Sequence, residues 1–199
     1  HSFPTRRSSD LWRTTTVDSY ATDDPQWETV LDFDALAEAE GANWVYKGAS
    51  CLPPEGRLCL VNLSDGGKDA VTVREFDRET GQFIEGGITL PESKGGVSWI
   101  DADTLLVSRD FGEGSLTDSG YPRTVRLMTR GQSVEDAPVV FEGQQSDVSV
   151  SGFTLRDADG VVQAVLLNRG INFYESETWL LNADGTTRQL PLPLKGGIT

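Results

Sequence analysis

The chain has 199 residues and carries 17 Lys+Arg against 31 Asp+Glu, a formal net charge of −14. That length suits one domain able to bury a core, and the acidic balance excludes nucleic acid and anionic lipid as natural partners. No apolar run approaches the roughly 20 residues that a membrane-spanning helix needs.

In chain order, the first segment is the least protein-like. His1 is the only histidine. The run HSFPTRRSSDL back-translates to a common sequencing-adapter primer read through as an open frame, so residues 1–11 are expected to be non-native and are set aside. The native chain is then expected to begin near Trp12, truncated at its start. Its compartment stays unknown, with cytoplasm and periplasm both open.

Residues 12–42 form a lead-in of different character. Asp32–Glu40 (DFDALAEAE) is its one clear helix, rich in Ala, Leu and Glu, with Asp32 or Asp34 to cap its start and Gly41 to stop it.

From residue 43 onward, short β-rich runs alternate with Gly, Asp, Asn and Pro. Strands are expected over Trp44–Leu52, Leu58–Leu63, Ala70–Phe76 and Gln82–Glu85. A second set follows at Gly96–Ile100, Thr104–Arg109, Arg123–Thr129 and Val139–Glu142. The third set is Asp147–Leu155, Val161–Asn168, Phe173–Leu181 and Thr187–Leu190. The turn before the last strand of each set holds Gly81, Gly131 and Gly185, spaced 50 and 54 residues apart. Four strands per period of about 50 residues is the pattern of propeller blades. The fold class is therefore all-β: a partial β-propeller of about three four-stranded blades with a short helical lead-in. Expected blades span about 43–90, 91–145 and 146–194. Trp99, Phe153, Phe173 and Trp179 are expected in the core between blades. Three blades do not close a ring, so truncation is expected at the C-terminal end as well.

Cys51 and Cys59 are the only cysteines, and they flank the turn Pro53-Pro54-Glu55-Gly56. In one hairpin register they lie close enough to bridge; a one-residue slip puts them on opposite faces. The preferred expectation is two buried free thiols.

Several runs then look like known sequences. Ser64-Asp65-Gly66-Gly67 leading through Val71, Val73 and Phe76 to Asp77 and Thr80-Gly81 is one. Val97-Ser98-Trp99-Ile100-Asp101 before Thr104-Leu105-Leu106-Val107 is another, and Tyr121-Pro122-Arg123 through Gly131 to Val139-Val140-Phe141-Glu142 is a third. In this order, after the opening Trp12-Arg13 and Trp27–Leu31, they resemble the N-terminal propeller region of the prolyl oligopeptidase family of serine peptidases, in a divergent bacterial-type branch. Met128 departs from the pattern; many members carry histidine there. The resemblance implies a seven-bladed propeller that caps an α/β-hydrolase domain with a Ser-Asp-His triad and admits only short peptides. The partners it implies are therefore short peptide substrates and a C-terminal hydrolase domain in cis.

The chain itself offers no triad. Neither Gly48-Ala49-Ser50 nor Gly112-Glu113-Gly114-Ser115 makes the G-x-S-x-G elbow before a helix, and without a histidine base serine is a weak nucleophile. No catalytic, cofactor-binding or metal residue is assigned, and no cofactor is expected. Gly112-Glu113-Gly114 reads as a mobile inter-strand loop rather than a phosphate cradle. Asp157–Gly160 and Asn182–Gly185 read as hairpin turns rather than calcium loops. Asn62-Leu63-Ser64 matches a glycosylation acceptor by chance, at a strand end. The expected function is the substrate-gating propeller of a prolyl-oligopeptidase-like peptidase, inactive by itself. The alternative is a stand-alone binding propeller without peptidase activity.

Overall fold

The computed structural model describes residues 11–196. These divide into two compact units, residues 11–49 with 57–91, and residues 50–56 with 92–196. The all-β expectation holds: the two helices are outnumbered by fifteen strands among the described residues.

The first unit opens with a ribbon that the lead-in expectation lacked. β1 (Leu11–Thr14) pairs antiparallel with β2 (Glu28–Asp32). Between them lies α1 (Val17–Tyr20), a single turn started by Thr16, whose hydroxyl accepts from Ser19 N. The chain leaves β2 directly into α2 (Phe33–Glu40). Asp32 caps it by accepting from Asp34 N and Ala35 N, each at 3.1 Å. Gly41 ends it in the left-handed region at φ 62°, where a side chain would be strained. The expected cap and stop residues are both in place.

The ribbon and helix share a core with a sheet ordered β3 (Trp44–Cys51), β4 (Leu58–Asp65), β5 (Val71–Asp77), β6 (Gln82–Phe83). Phe33, Val61, Leu63 and Phe76 are fully buried at its centre, and Trp12, Tyr46 and Phe83 pack against them. Phe33 stacks on Tyr46 with centroids 4.7 Å apart. One strand was not anticipated: β7 (Thr89–Ser93) also pairs with β5. Its sequence hides it, because Gly86, Gly87 and Pro91 read as breakers.

Cys51 and Cys59 are both disulfide-bonded and, as the only two cysteines, to each other. This corrects the expectation of free thiols. Spacing alone could not choose between a bridge and free thiols.

The second unit stacks two four-stranded antiparallel meanders. One comprises β8 (Gly95–Trp99), β9 (Thr104–Arg109), β10 (Thr124–Thr129) and β11 (Val139–Glu142). The other comprises β12 (Ser149–Arg156), β13 (Val162–Gly170), β14 (Ser176–Leu181) and β15 (Thr187–Gln189). Alternate residues of each strand point to one face. Leu106 and Val125 from the first sheet meet Val150, Leu167 and Leu181 from the second in one buried cluster. Gly152 lets the sheets approach, since a Cβ there would stand 2.7 Å from Leu106 Cδ1. Polar ties add register. Thr154 Oγ1 donates to Trp99 O at 2.7 Å, and Arg156 Nη2 donates to Ile100 O at 2.8 Å.

Of the four aromatics expected in the core, Trp99 is buried, and Trp179 is half-buried against the inter-sheet cluster. Phe153 is half-buried. Phe173 is a correction: it is 92% exposed. It does not belong to β14, which starts three residues later, but to the turn before it.

Candidate functional site

In a meander, successive connections alternate between the two ends of the sheet. Within the second unit this sorts the connections into two groups. The β8–β9, β10–β11, β12–β13 and β14–β15 connections lie at one end, and all but the β10–β11 connection are short polar turns. Asp101 Oδ1 accepts from Asp103 N at 2.8 Å, Asp157 Oδ1 from Asp159 N at 3.0 Å, and Asp184 Oδ1 from Thr186 N at 2.9 Å. Asp157–Gly160 and Asn182–Gly185 thus behave as the hairpin turns expected of them, with carboxylate oxygens engaged by turn amides.

The other end holds the long β9–β10 loop (110–123), the β11–β12 link (143–148) and the β13–β14 turn (171–175). The first two are knitted into one platform, which also bonds the end of β13 from which the third departs. Asp118 N donates to Gln145 O at 2.8 Å, and Gln145 Nε2 donates to Leu116 O at 3.0 Å. Thr117 Oγ1 donates to Val148 O at 3.0 Å, and Val148 N donates to Gly170 O at 2.8 Å. Arg123 pairs with Glu142 and donates from Nε to Gly114 O at 2.8 Å.

Beneath the platform lies a charged network. Asp147, 1% exposed, receives Arg169 in bidentate fashion, Nε to Oδ2 at 2.7 Å and Nη2 to Oδ1 at 3.0 Å. Gln144 N also donates to Oδ2 at 2.6 Å, and Arg169 Nη1 reaches Glu177 Oε2 at 3.1 Å. Burial works to raise the Asp147 carboxyl, but the Arg169 guanidinium and the Gln144 amide outweigh it and hold it below its ordinary value. The same pairing with Asp147, against the cost of burial, raises Arg169. Arg169 also lines a cavity of 550 Å³ with Phe141, Glu142 and Trp179. Its charge is matched by Asp147 and Glu177, so that cavity is not an anion trap. Arg109, at the end of β9, is 2% exposed; burial pushes its guanidinium down to about 10, still charged at neutral pH.

The serines that sequence reading considered do not make a nucleophile. Ser50 lies in β3, and its carbonyl accepts from Trp99 Nε1 at 2.9 Å. Ser115 is buried, and its hydroxyl staples the 110–123 loop by donating to Gly112 O at 2.6 Å and accepting from Phe111 N at 2.8 Å. Asp110 is within 3.1 Å of that hydroxyl, but no histidine lies among the described residues. The loop is an inter-strand connection as expected, though heavily pinned. In the acceptor-like Asn62-Leu63-Ser64, Asn62 is half-buried and Ser64 fully buried within β4. Neither Ser50 nor Ser115 has a histidine base beside it among the described residues.

Sequence reading missed the exposed rings at the platform end, Tyr121, Phe173 and Tyr174. For Phe173 and Tyr174 the signal was Asn172, a turn-forming residue set before two aromatics that propensity assigned to a strand.

Comparison with known proteins gives the fold its family. The sequence model described as "Prolyl oligopeptidase, N-terminal beta-propeller domain" matches residues 5–195. An uncharacterized peptidase of Sinorhizobium fredii, y4nA, is 46% identical over 185 residues, covering 92% of this chain and 26% of that protein. Among solved structures, a post-proline cleaving enzyme from Rickettsia typhi aligns with TM-score 0.83 at 28% identity, over 93% of this chain and 28% of that one. Oligopeptidase B from Leishmania major aligns with TM-score 0.65 at 16% identity, over 93% of this chain and 25% of that one, a likeness of fold. The chain thus spans about a quarter of the length of the relatives it matches, and its four-stranded sheets are those of a partial β-propeller. It belongs to the prolyl oligopeptidase N-terminal β-propeller domain family.

Proposed function

We propose that this chain is the substrate-gating propeller of a serine-type peptidase that hydrolyses short peptides, with its catalytic residues in an α/β-hydrolase domain encoded outside these 199 residues. The family match over residues 5–195 carries the reading. The absence of a histidine base in the described part supports placing the chemistry elsewhere. The blades are read as residues of about 43–90, 91–145 and 146–194, with 12–42 leading in. The four-stranded sheets β8–β11 and β12–β15 support the last two limits, while β7, which joins the first sheet through β5, runs past residue 90.

The test is the parent protein, recovered by extending the reading frame. Purified parent is expected to cleave fluorogenic oligopeptides and to leave the same cleavage sequence intact within a folded protein. A frame that closes without a G-x-S-x-G motif and a later histidine, or a parent that leaves all peptides uncut, overturns the proposal in favour of a stand-alone binding propeller.

A further inference from the structure

The two stacked sheets of the second unit do not close at the end that carries the Asp157–Gly160 and Asn182–Gly185 turns. Leu181 belongs to the buried inter-sheet cluster, and Ile100, Leu127 and Val165 pack against it. All four also line a cavity of about 400 Å³. Ala183 and Gly185, exposed on the β14–β15 turn, line it as well and are too small to fill it. Its volume falls in the range of roughly 300–1,000 Å³ taken by small-molecule sites, and apolar walls with a few polar groups are their ordinary lining. Left to water, these walls forgo burial that a ligand would restore.

The polar part of the lining offers acceptors. Gln163 Nε2 is committed to Asp157 Oδ2 at 2.8 Å, and Asn182 Nδ2 to Thr186 Oγ1 at 3.0 Å. That leaves Gln163 Oε1 and Asn182 Oδ1 without a partner among the described residues. Carboxylates stand directly behind both. Asp157 touches Gln163, and Asp184 accepts from Thr186 Oγ1 at 2.6 Å, one hydrogen bond beyond Asn182. The Thr186 hydroxyl and amide hold the Asp184 carboxyl below its ordinary value, so it is charged at neutral pH. No Lys or Arg pairs with Asp157 or Asp184 among the described residues. The cations of this end are engaged or turned away. Arg156 donates to the carbonyls of Gly160, Trp99 and Ile100. Arg130 pairs with Asp103. Arg188 stands opposite Leu180, on the face of β14 away from Leu181.

We propose that this cavity binds a small lipophilic cation, an aryl or alkyl body that carries one protonated amine. The body would lie against Leu127, Val165 and Leu181, and the ammonium would donate to the Gln163 and Asn182 carbonyls in the field of Asp157 and Asp184. An anion of the same shape would meet like charge, with both lining amide nitrogens already committed. A neutral molecule would gain burial alone. The site lies wholly within the second unit and does not depend on where peptide cleavage takes place.

Isothermal titration calorimetry of the full-length parent tests it at pH 7 and low salt, where surface charges are little screened. The probes are 1-naphthylmethylamine, a cation, and 1-naphthylacetate, an anion with the same ring system. The amine is expected to bind at least about fivefold more tightly, the size of one exposed charge pairing. Gln163 is exposed on β13, and Gln163→Lys replaces a lining acceptor with a cation. It is expected to abolish or reverse the preference, whereas an amine held anywhere else on the parent keeps it. Asp184→Asn retains an Oδ1 acceptor for Thr186 and is expected to narrow the preference at least about twofold. Because the readout is a ratio, a variant that merely weakens both probes alike does not mimic these results. Equal affinities for the two probes, no binding of the amine at millimolar concentration, or a preference unchanged in both variants overturns the proposal.

Discussion

Residue by residue, Asp147 is the most buried acid of the second unit among the described residues, and it anchors an ion pair with Arg169. Its carboxylate is buried and holds Arg169 on two hydrogen bonds. Removing one partner of a buried ion pair leaves the other charge uncompensated, so Asp147→Asn is expected to cost about 3 kcal/mol at neutral pH, measured by urea unfolding. The pH dependence has a definite sign. The folded Asp147 carboxyl lies below its ordinary value, so its contribution is complete above the unfolded pKa of about 3.9 and disappears as pH falls through the folded value. Asp77 adds to the same window. The Arg57 hydrogen bond, with the Glu79 and Thr80 amides, lowers it to about 2 against the cost of burial. Wild-type stability is expected to fall steeply from about pH 4 toward pH 2, and Asp147→Asn is expected to flatten that slope. A wild-type curve flat across that range would refute the assignment. None of this was legible in the sequence. Asp147 and Arg169 are 22 residues apart, and only the pairing of β12 with β13 brings them together.

At the scale of elements, local signals were read well wherever one residue sets the backbone. Asp32 and Gly41 bound α2, and Gly81, Gly131 and Gly185 all adopt positive φ, at 68°, 79° and 82°. The space beside Gly131 and Gly185 is open, with nothing within 4 Å of where an added methyl would stand, so alanine there tests backbone strain without steric clash. Gly185→Ala is expected to destabilise by about 1 kcal/mol, readable as a shift in unfolding midpoint at unchanged m-value. A neutral result would show that the β14–β15 turn relaxes out of the left-handed region. Signals failed where tertiary pairing overrides local chemistry. β7 pairs with β5 despite Pro91, the β1–β2 ribbon forms across a connection that includes a one-turn helix, and Phe173 leaves the strand because Asn172 closes a turn. The disulfide belongs here too: the spacing of Cys51 and Cys59 leaves both a bridge and free thiols open.

For the whole molecule, the strand count, the period near 50 residues and the ordered family runs made the propeller legible from sequence, and the four-stranded sheets and the family match over residues 5–195 agree. The candidate site was much less legible. Its platform is assembled from two connections and a strand end that are distant in sequence, and the exposed rings at that end resemble core residues until the fold is known. The proposal comes down to a division of labour, in which this chain would admit substrate and a serine elsewhere in the parent would cut it. Labelling with a fluorophosphonate probe addresses it directly, with the labelled peptide located by mass spectrometry. The parent is expected to label at one serine outside residues 11–196, and the 199-residue chain is expected to stay unlabelled. Label on Ser115 or Ser50, or a parent that takes no label, would contradict the account.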